Sequence, residues 1–465
     1  MQRFLVWLIA GSFMTESGQA PHEIPATQPA LHFTADAGWI NDPVGLTYHD
    51  GRYHLFFQYI RGQAVWSPRC CWGHAVSYDL LTWTEQAPIL EPGDGDGGCW
   101  SGSLVVDDNG QATIFYTSVQ LDNLNIGRIR TAQPDDETWN TWRKGALVEG
   151  IAPTNDAGIF RDPQVSRDGD GWRMLVGSGR NDGAATALAY TSPDLIAWTF
   201  GGEFTSRSST EQDQVWTGKV WECPQLVHLG SKHVLLFSVW EQSMPYYEAY
   251  AIGSLINGEF KIEKWGRLSY GDSYYAGATF ADAAGRPGMI YWLREVTDSR
   301  GRWTGAHSLP HLLRLDGNNQ LTAEPHPNVA QRRGPVVKIT PDLRRAVKLP
   351  PVADLEWNLE PRRPATLRVC SADGTQVVRM IANDGALKIE ITDKTWTMPY
   401  SASLRLVFDG PVIELFSVAG LFAAPIPVAG TRTISLTNSS CLIYELREHM
   451  NKALIVHARQ NGCAP

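Results

Sequence analysis

The chain of 465 residues is short of charge, because Asp, Glu, Lys and Arg make up only 19% of it, below the roughly 25% of a typical globular protein. Acidic side chains outnumber basic ones, the formal net charge is −9, and no run of Lys or Arg occurs. A nucleic-acid-binding surface needs a basic stripe, so no nucleic-acid partner is expected. No apolar run reaches the length of a membrane-spanning helix, so no membrane partner is expected either.

Cysteine is also scarce. The seven cysteines are an odd number without a C-x-x-C pair, and the twelve histidines show no metal-ligand spacing. These counts argue against a zinc site and against a dense disulfide framework. The sequence therefore predicts buried reduced thiols, no metal and no other cofactor. If one disulfide forms, Cys370 with Cys441 is the pair to test first, because both lie in the C-terminal region.

The N-terminus leaves two interpretations open. An apolar run at residues 4–9 follows Arg3, and residues 18–20 (G-Q-A) loosely resemble a signal-peptide cleavage site. If residues 1–20 are a signal peptide, the protein is secreted. If Met14 is the true start, the preceding residues are an upstream extension. We expect a cytoplasmic protein, with secretion as the alternative.

Glycine, proline and tryptophan are abundant, with 43, 28 and 18 residues. Apolar strand-like runs, such as residues 53–59, 112–117 and 234–239, alternate with turn residues, and no long helical periodicity is present. This pattern predicts an all-β chain.

Turn signals recur at a regular interval. Their glycines are 59, 61, 59 and 55 residues apart, and an apolar strand follows each turn. Five units of about 59 residues predict a five-bladed β-propeller, with unrelated hairpins in a sandwich as the alternative. A second repeated pattern supports this interval. Residues 77–83 (S-Y-D-L-L-T-W) are similar to residues 192–198 (S-P-D-L-I-A-W), which lie two repeat lengths further along the chain. The turns are Asp50-Gly51, Asn109-Gly110, Asp170-Gly171, Leu229-Gly230 and Ala284-Gly285.

The rest of the chain divides by composition. A proline-rich stretch follows the repeats, and the segment after it alternates strands with Asp-Gly turns at a spacing that suits a β-sandwich. The expected organisation is an N-terminal extension or signal segment at 1–29, the propeller at 30–330, a linker at 331–351, the sandwich at 352–450 and a tail at 451–465.

Counting back from the repeated turns brings polar side chains into register. Asp42, Ser101 and Asp162 each lie nine residues before the turn glycine of their unit, and Glu222 lies eight before its own. Equivalent positions on the innermost strands of a propeller converge on its axis, so three carboxyls are expected in one pocket. Burying an unpaired charge is costly, so carboxyl groups that lie among aromatic neighbours indicate a functional role. Two such groups can hydrolyse a glycosidic bond, which predicts an enzyme with a small carbohydrate substrate.

The same residues carry a family resemblance. Residues 39–45 (W-I-N-D-P-V-G), 161–163 (R-D-P) and 221–224 (W-E-C-P) resemble the signature boxes of glycoside hydrolase family 32, the invertases and exo-fructanases. The resemblance runs over nearly the whole chain and implies a five-bladed β-propeller followed by a C-terminal β-sandwich. Val44, Gln225 and His311 depart from the family pattern. The first two are expected near the pocket rim, where they would affect the preference for the leaving group.

The resemblance also implies residue roles. Asp42 is the expected nucleophile at the anomeric carbon of a fructofuranosyl unit, Glu222 the general acid and then base, and Asp162 the transition-state stabiliser. Arg161 is expected to help keep the aspartates ionised, and Trp221 to lie in a segment around the sugar. The remaining fructose subsite is expected to comprise Trp39, Asn41, Gln58, Trp66, Trp100, Ser101 and Arg161.

The expected function is therefore a retaining β-fructofuranosidase acting on sucrose or short fructans through a covalent fructosyl-enzyme. A fructosyltransferase and an exo-inulinase or levanase are the alternatives. A non-catalytic sugar-binding propeller and an inverting arabinan-type hydrolase fit the three carboxyls and the boxes less well. The sandwich is expected to be structural, and it could also form a homodimer.

Overall fold

The computed structural model describes residues 28–340, 345–360, 363–427 and 430–447. Within these ranges the chain is nearly all β, with 34 strands and one short helix, which confirms the predicted fold class in outline. The candidate signal segment, the alternative start at Met14 and the tail at 451–465 lie outside the described residues. No helix in the described ranges is long and apolar enough to cross a membrane.

Residues 38–267 form four consecutive groups of four strands, and chain neighbours within each group pair antiparallel. The first two groups are β1 (Gly38–His49), β2 (Arg52–Ile60), β3 (Cys71–Ser77), β4 (Trp83–Leu90), β5 (Gly98–Val106), β6 (Ala112–Gln120), β7 (Asn123–Pro134) and β8 (Trp142–Leu147). The next two are β9 (Ala157–Asp168), β10 (Gly171–Arg180), β11 (Ala184–Ser192), β12 (Thr199–Ser208), β13 (Val220–Leu229), β14 (Lys232–Glu241), β15 (Met244–Ile256) and β16 (Glu259–Arg267).

A fifth group follows and joins the first. After the short β17 (Ser269–Tyr270) come β18 (Tyr274–Ala281), β19 (Pro287–Thr297), β20 (Trp303–His307), β21 (His311–Leu315), β22 (Leu321–Pro325) and the helix α1 (Pro327–Gln331). β19 pairs with β18, β20 and β21, and β20 runs parallel to β1. The first strands of the five groups contact one another in a closed cycle, β1 to β5 to β9 to β13 to β18 and back to β1.

Hydrophobic clusters fill the spaces between successive groups. Phe115 of the second group packs with Phe160 of the third, and Leu175 of the third packs with Phe237 of the fourth. The groups therefore pack face to face, with their first strands innermost.

The five predicted turns all join the first strand of a group to its second. At the first turn, Asp50 and Gly51 have φ of +46° and +77°, as a two-residue hairpin loop of this kind requires. At the third turn, the positive φ of +59° falls on Gly169 and β10 begins at Gly171. That turn therefore comprises Gly169 and Asp170, one residue earlier than predicted.

The two similar segments, residues 77–83 and 192–198, adopt the same local structure. Asp79 and Asp194 each accept hydrogen bonds from the backbone N–H groups two and three residues later, at 2.7 to 3.0 Å. The following residues, Leu80 and Leu195, have φ of +65° and +66°. The sequence match thus reflects the same turn in the first and third groups.

The C-terminal part is a β-sandwich of two sheets. Its strands are β23 (Arg333–Ile339), β24 (Val347–Leu349), β25 (Val352–Leu359), β26 (Ala365–Ser371), β27 (Gln376–Asn383), β28 (Ala386–Ile391), β29 (Lys394–Pro399), β30 (Ser403–Asp409), β31 (Val412–Ser417), β32 (Gly420–Pro425), β33 (Arg432–Thr437) and β34 (Ser439–Leu446). One sheet has the order β17-β32-β31-β30-β25-β34-β23 and the other β24-β33-β26-β27-β28-β29. Side chains of both sheets share one core around Trp357.

Two expectations for this region can be compared with the structure. Residues 331–351, expected to be a linker, contribute β23 and β24 to the two sheets. Cys370 and Cys441 lie on different sheets and do not form the candidate disulfide, since the cysteines in the described ranges are all free thiols.

A buried charged cluster ties the sandwich to the start of the first group. His32 Nδ1 lies 2.7 Å from Asp409 Oδ2, and His32 Nε2 lies 3.4 Å from Glu414 Oε2. Asp409 also accepts hydrogen bonds from the backbone N–H groups of residues 30–32 at 2.7 to 3.0 Å. Tyr274 donates to Glu414 Oε1 at 2.9 Å, and His311 Nε2 lies 3.7 Å from the same oxygen.

Charge pairing controls the protonation of this cluster. Burial opposes a charged His32, but the carboxylates of Glu414 and Asp409 outweigh burial and raise the pKa of His32 to about 9. Burial likewise opposes ionisation of Glu414, yet the charge of His32 and the neighbouring ring of His311 lower the pKa of Glu414 to about 2. The junction therefore holds its ion pairs across the neutral range.

The His32 ion pairs should make the stability of the protein depend on pH. Their contribution is complete below the ordinary histidine pKa of 6.5 and is lost as the pH rises through about 9. We expect His32→Gln to lower the Tm most at pH 6 and progressively less toward pH 10. Thermal unfolding at pH 6, 8 and 10 measures this, with exposed His228→Gln as the control. A deficit of equal size at all three pH values would contradict the role of the ion pairs.

Candidate active site

The first strand of every group loses register with its neighbour near the middle. The residues passed over in the pairing are Asn41 and Asp42 on β1, Ser101 on β5, Asp162 and Pro163 on β9, Cys223 and Pro224 on β13, and Ala276 and Gly277 on β18. Such bulges redirect side chains out of the regular pleat. Proline suits two of them, since it has no N–H to lose from the ladder. Because the five strands contact one another, their bulges bring these side chains to one place.

Asp42 is surrounded by side-chain hydrogen-bond donors. Its Oδ2 accepts hydrogen bonds from Ser101 Oγ at 2.5 Å and from Gln58 Nε2 at 3.0 Å, and its Oδ1 accepts from Asn41 Nδ2 at 3.0 Å. Gln58 also donates to Ser101 Oγ. Four of the predicted site residues are therefore joined in one hydrogen-bond network.

Asp162 is connected to Asp42 through a cysteine. The backbone N–H of Cys223 donates to Asp162 Oδ2 at 3.1 Å, and its Sγ lies 3.6 Å from Oδ2 of both Asp162 and Asp42. Asp162 has φ of +65°, a left-handed conformation that Asp and Asn tolerate better than most residues. Its own N–H donates to Thr117 Oγ1 at 2.8 Å.

Glu222 is held between two donors from the neighbouring groups. Arg161 donates to Glu222 Oε1 from Nε at 2.9 Å and from Nη2 at 2.7 Å, and the Tyr275 hydroxyl donates to Glu222 Oε2. All three residues directly precede a bulge residue with positive φ, so they are equivalent positions on β9, β13 and β18. This equivalence explains why they meet.

The cluster has more carboxyls than cations. Burial and then the charge of Glu222 raise the pKa of Asp162 to about 7, although Arg161 acts in the opposite direction. Burial also raises the pKa of Asp42 against the hydrogen bonds from Ser101 and Asn41, and Glu222 adds to the rise. Arg161 was expected to help keep the aspartates ionised, and its charge does lower the pKa of Asp162, although both of its hydrogen bonds go to Glu222. Burial and the excess of carboxyls thus favour the protonated form of the two aspartates more than in an ordinary exposed carboxyl.

Three predicted tryptophans border this cluster. Trp39 is half-buried and donates from Nε1 to Asn41 Oδ1 at 3.0 Å. Trp66, which is 45% exposed, packs edge-on against Trp100 with ring centroids 6.1 Å apart. The guanidinium of Arg161 lies 5.9 Å from the centre of the Trp100 ring. Aromatic rings of this kind can pack against the apolar face of a sugar, and Trp66 is exposed enough to do so.

Three sequence expectations are wrong. Trp221 is fully buried and packs against Phe237, so it belongs to the core. Val44 is also a core residue. Gln225 is buried and accepts hydrogen bonds from Thr279, so neither Val44 nor Gln225 lies at a pocket rim.

Sequence reasoning also missed residues of the cluster. Tyr275 and Thr117 were not predicted, and Cys223 was expected only to be a buried reduced thiol, as the other cysteines were. A signal for Tyr275 existed: the residue nine before Gly285, the fifth turn glycine, is Ala276, next to Tyr275. Cys223 and Thr117 act through contacts between groups, which no spacing within the sequence shows.

Comparison with known proteins identifies the family. The model of the glycosyl hydrolases family 32 N-terminal domain matches residues 32–325. A sucrose-6-phosphate hydrolase of Zymomonas mobilis is 33% identical over an alignment of 314 positions that covers 62% of this chain and 60% of that protein. The β-fructofuranosidase CWINV3 of Arabidopsis thaliana is 31% identical over an alignment of 379 positions that covers 71% of this chain and 61% of that protein.

Solved structures show the same relationship. A mutant of the family 32 β-fructofuranosidase of Bombyx mori in complex with sucrose superposes with a TM-score of 0.80 at 26% identity, covering 91% of this chain and 94% of that one. The match to the curated relatives spans about three fifths of their length. Since the family model covers more than half of the sequence, the chain belongs to glycosyl hydrolase family 32.

Proposed function

We propose that the protein is a retaining β-fructofuranosidase that releases terminal fructose from sucrose or short β-fructans. The observation that carries this proposal is the convergence of Asp42, Asp162 and Glu222 from three strands, linked through Cys223 and Arg161. Related proteins with the names sucrose-6-phosphate hydrolase and β-fructofuranosidase, and a sucrose complex of one structural neighbour, support the substrate class.

The five groups are the blades of a five-bladed propeller in this proposal, with residues 30–330 as the catalytic domain. The closed cycle of contacts among β1, β5, β9, β13 and β18 supports it, as does the pairing of β20 with β1. A ring of innermost strands places the bulges around one axis. The pocket then opens along that axis.

Asp42 is the nucleophile in the proposed reaction. Its carboxylate attacks C2 of the fructofuranosyl unit, forming a C–O bond to the enzyme while the bond from C2 to the leaving oxygen breaks. The donors Gln58, Ser101 and Asn41 fix the orientation of the carboxylate. Positioning of this kind lowers the barrier because the reacting atoms need no further ordering.

Glu222 supplies the proton to the leaving oxygen, and the geometry indicates which of its oxygens carries it. A guanidinium only donates, so Oε1, which accepts two hydrogen bonds from Arg161, is the poorer position for a proton. Oε2 faces the Tyr275 hydroxyl, which can accept as well as donate. In the second step Glu222 takes a proton from water, and the water attacks C2 and releases Asp42.

Asp162 stabilises the transition state. Its Oδ2 is fixed by the N–H of Cys223, and its charge lies beside that of Asp42. The transition state resembles an oxocarbenium ion, so ionised carboxylates favour it over the neutral substrate. Carboxylate oxygens also accept hydrogen bonds from fructose hydroxyls.

Asp42→Asn should lower kcat on sucrose by on the order of a thousandfold or more, because an amide cannot form the covalent intermediate. The amide keeps the shape of the side chain, so the Tm should stay close to that of the native protein. Release of reducing sugar and thermal unfolding measure the two. A variant with near-native kcat would exclude Asp42 as the nucleophile.

Glu222→Gln should slow the hydrolysis of sucrose by roughly a hundredfold or more, since the leaving glucose oxygen needs a proton. An aryl β-fructofuranoside with an acidic phenol as leaving group needs none and should be affected much less in its first step. The comparison is made on the release of glucose and of the phenol. Equal losses on both substrates would argue against the acid role.

Asp162→Asn should stabilise the folded protein at neutral and higher pH. Because folding raises the pKa of Asp162 from 3.8 to about 7, the ionised form costs stability, and this cost grows as the pH rises between the two values. We expect equal Tm values at pH 4 and a higher Tm for the variant at pH 8, by a few degrees for a difference of roughly 1 kcal/mol. Exposed Asp122→Asn is the control. A variant no more stable at pH 8 than the native protein would overturn the burial argument.

A further inference from the structure

A fourth carboxyl lies next to the cluster and has no part in the proposed chemistry. Glu248 on β15 is fully buried. The ladder pairs Glu222 on β13 with Ser238 on β14, and Ser238 with Glu248 on β15. Directly paired residues of an antiparallel sheet project from the same face, so these three side chains form a row across the group.

Glu248 and Ser238 hold the bulge that precedes the fifth turn. The Ser238 hydroxyl donates to Glu248 Oε1 and accepts a hydrogen bond from the backbone N–H of Ala276 at 2.8 Å. The N–H of Gly277 donates to Glu248 Oε1 at 3.3 Å. Both N–H groups belong to the residues that β18 leaves out of its pairing with β19. The two side chains therefore satisfy the donors that the bulge removes from the ladder.

The bulge in turn sets the position of Tyr275. Ala276 has φ of +50°, a conformation that costs energy for a residue with a Cβ and persists only where its surroundings hold it. Tyr275 is the residue before it, and its hydroxyl donates to Glu222 Oε2. Any relaxation at Ala276 would therefore move this hydroxyl relative to Glu222.

Comparison with the bulge of β9 shows that a bulge N–H group can be satisfied without a carboxyl. At the bulge of β9, the N–H of Asp162 donates to Thr117 Oγ1, and Thr117 donates to the backbone carbonyl of Ser101 at 2.9 Å. A hydroxyl and a backbone oxygen thus perform the same task there. At β18 the acceptor behind the hydroxyl is a buried carboxyl, which is costly to bury. Its Oε2 has no hydrogen-bond partner in the described part of the chain.

The charged and titratable groups that face Glu248 come from several strands. Burial first raises the pKa of Glu248 to about 7, Arg294 on β19 lowers it and Asp42 on β1 raises it. Tyr291 on β19 and Cys223 on β13 also interact with its charge. The carboxyl is electrostatically coupled to the catalytic cluster as well as joined to it by hydrogen bonds.

We infer that Glu248 is a positioning residue for the proposed acid/base: with Ser238 it fixes the β18 bulge so that the Tyr275 hydroxyl meets Glu222. This inference rests on the proposed function, because the acid/base role of Glu222 gives the position of Tyr275 its importance. Within the described residues the side chain of Glu248 hydrogen-bonds Ser238 and Gly277 and none of Asp42, Asp162 and Glu222.

The test uses two substrates and three variants of the full chain. Ser238→Ala and Glu248→Ala both break the link to the bulge. Each should lower kcat on sucrose by about tenfold or more, a barrier increase of roughly 1.4 kcal/mol. Both should leave the first step with an activated aryl β-fructofuranoside nearly unchanged, because that step needs no proton. Glu248→Gln keeps an oxygen acceptor for Ser238 and Gly277, so it should recover most of the activity on sucrose.

Ser269→Ala is the matched control. Ser269 Oγ accepts from the backbone N–H of Glu248 at 3.0 Å but does not contact the bulge, so both substrates should be turned over as by the native protein. In a Tyr275→Phe background, Ser238→Ala should cause no further loss on sucrose.

The outcomes separate this inference from the proposed function. A native protein without activity on any β-fructofuranoside would overturn the proposed function. An active native protein whose Ser238→Ala variant loses equally on both substrates, or loses nothing, would overturn the positioning role alone. The positioning role would also be overturned if Ser238→Ala still lowered activity on sucrose in the Tyr275→Phe background. If Glu248→Ala does not fold, Ser238→Ala, which removes one oxygen atom, decides the question.

Discussion

The bulges in the five innermost strands are the feature on which the site depends. A bulge adds a residue that the neighbouring strand cannot pair with, so backbone donors are left without ladder acceptors. In this protein, side chains of the adjacent group supply the missing acceptors: Thr117 for Asp162, Asp162 for Cys223, and Ser238 for Ala276. The hydrogen bonds that complete the fold are thus the same ones that orient the candidate catalytic groups.

The balance of charge explains why two buried carboxyl clusters behave in opposite ways. At the junction with the sandwich, the cationic His32 lies between Asp409 and Glu414, and the pKa of Glu414 falls to about 2. At the candidate active site, three carboxyls face one guanidinium, and the pKa of Asp162 rises to about 7. Burial penalises ionisation in both places, so the number of nearby cations decides the direction. One cluster is suited to hold domains together, the other to exchange a proton.

The three residues that depart from the family pattern all lie outside the hydrogen-bond network of the three carboxyls. His311, at a position where the resemblance leads one to expect arginine, is buried beside Glu414 and Tyr274 in the junction cluster. Val44 fills core space, and Gln225 links β13 to β18 through Thr279. All three positions contribute to packing between groups or domains. They leave the network of Asp42, Asp162 and Glu222 unchanged.

The sequence alone determined the β class, the five turns, the repeated Asp79 and Asp194 segments and the identity of the three carboxyls, because these depend on local spacing and residue chemistry. Even the turn at Gly169 was displaced by only one residue. Only the tertiary structure decided that Arg161 and Tyr275 bind Glu222 and that Cys223 joins the two aspartates. It also decided that Trp221 is a core residue and that Glu248 lies behind Ser238. The contacts of Arg161, Cys223 and Tyr275 join strands of different groups, and those of Trp221 and Glu248 join neighbouring strands of the fourth group. The bulges also decide which side of each strand a residue faces. A pattern read along one strand carries no information about either.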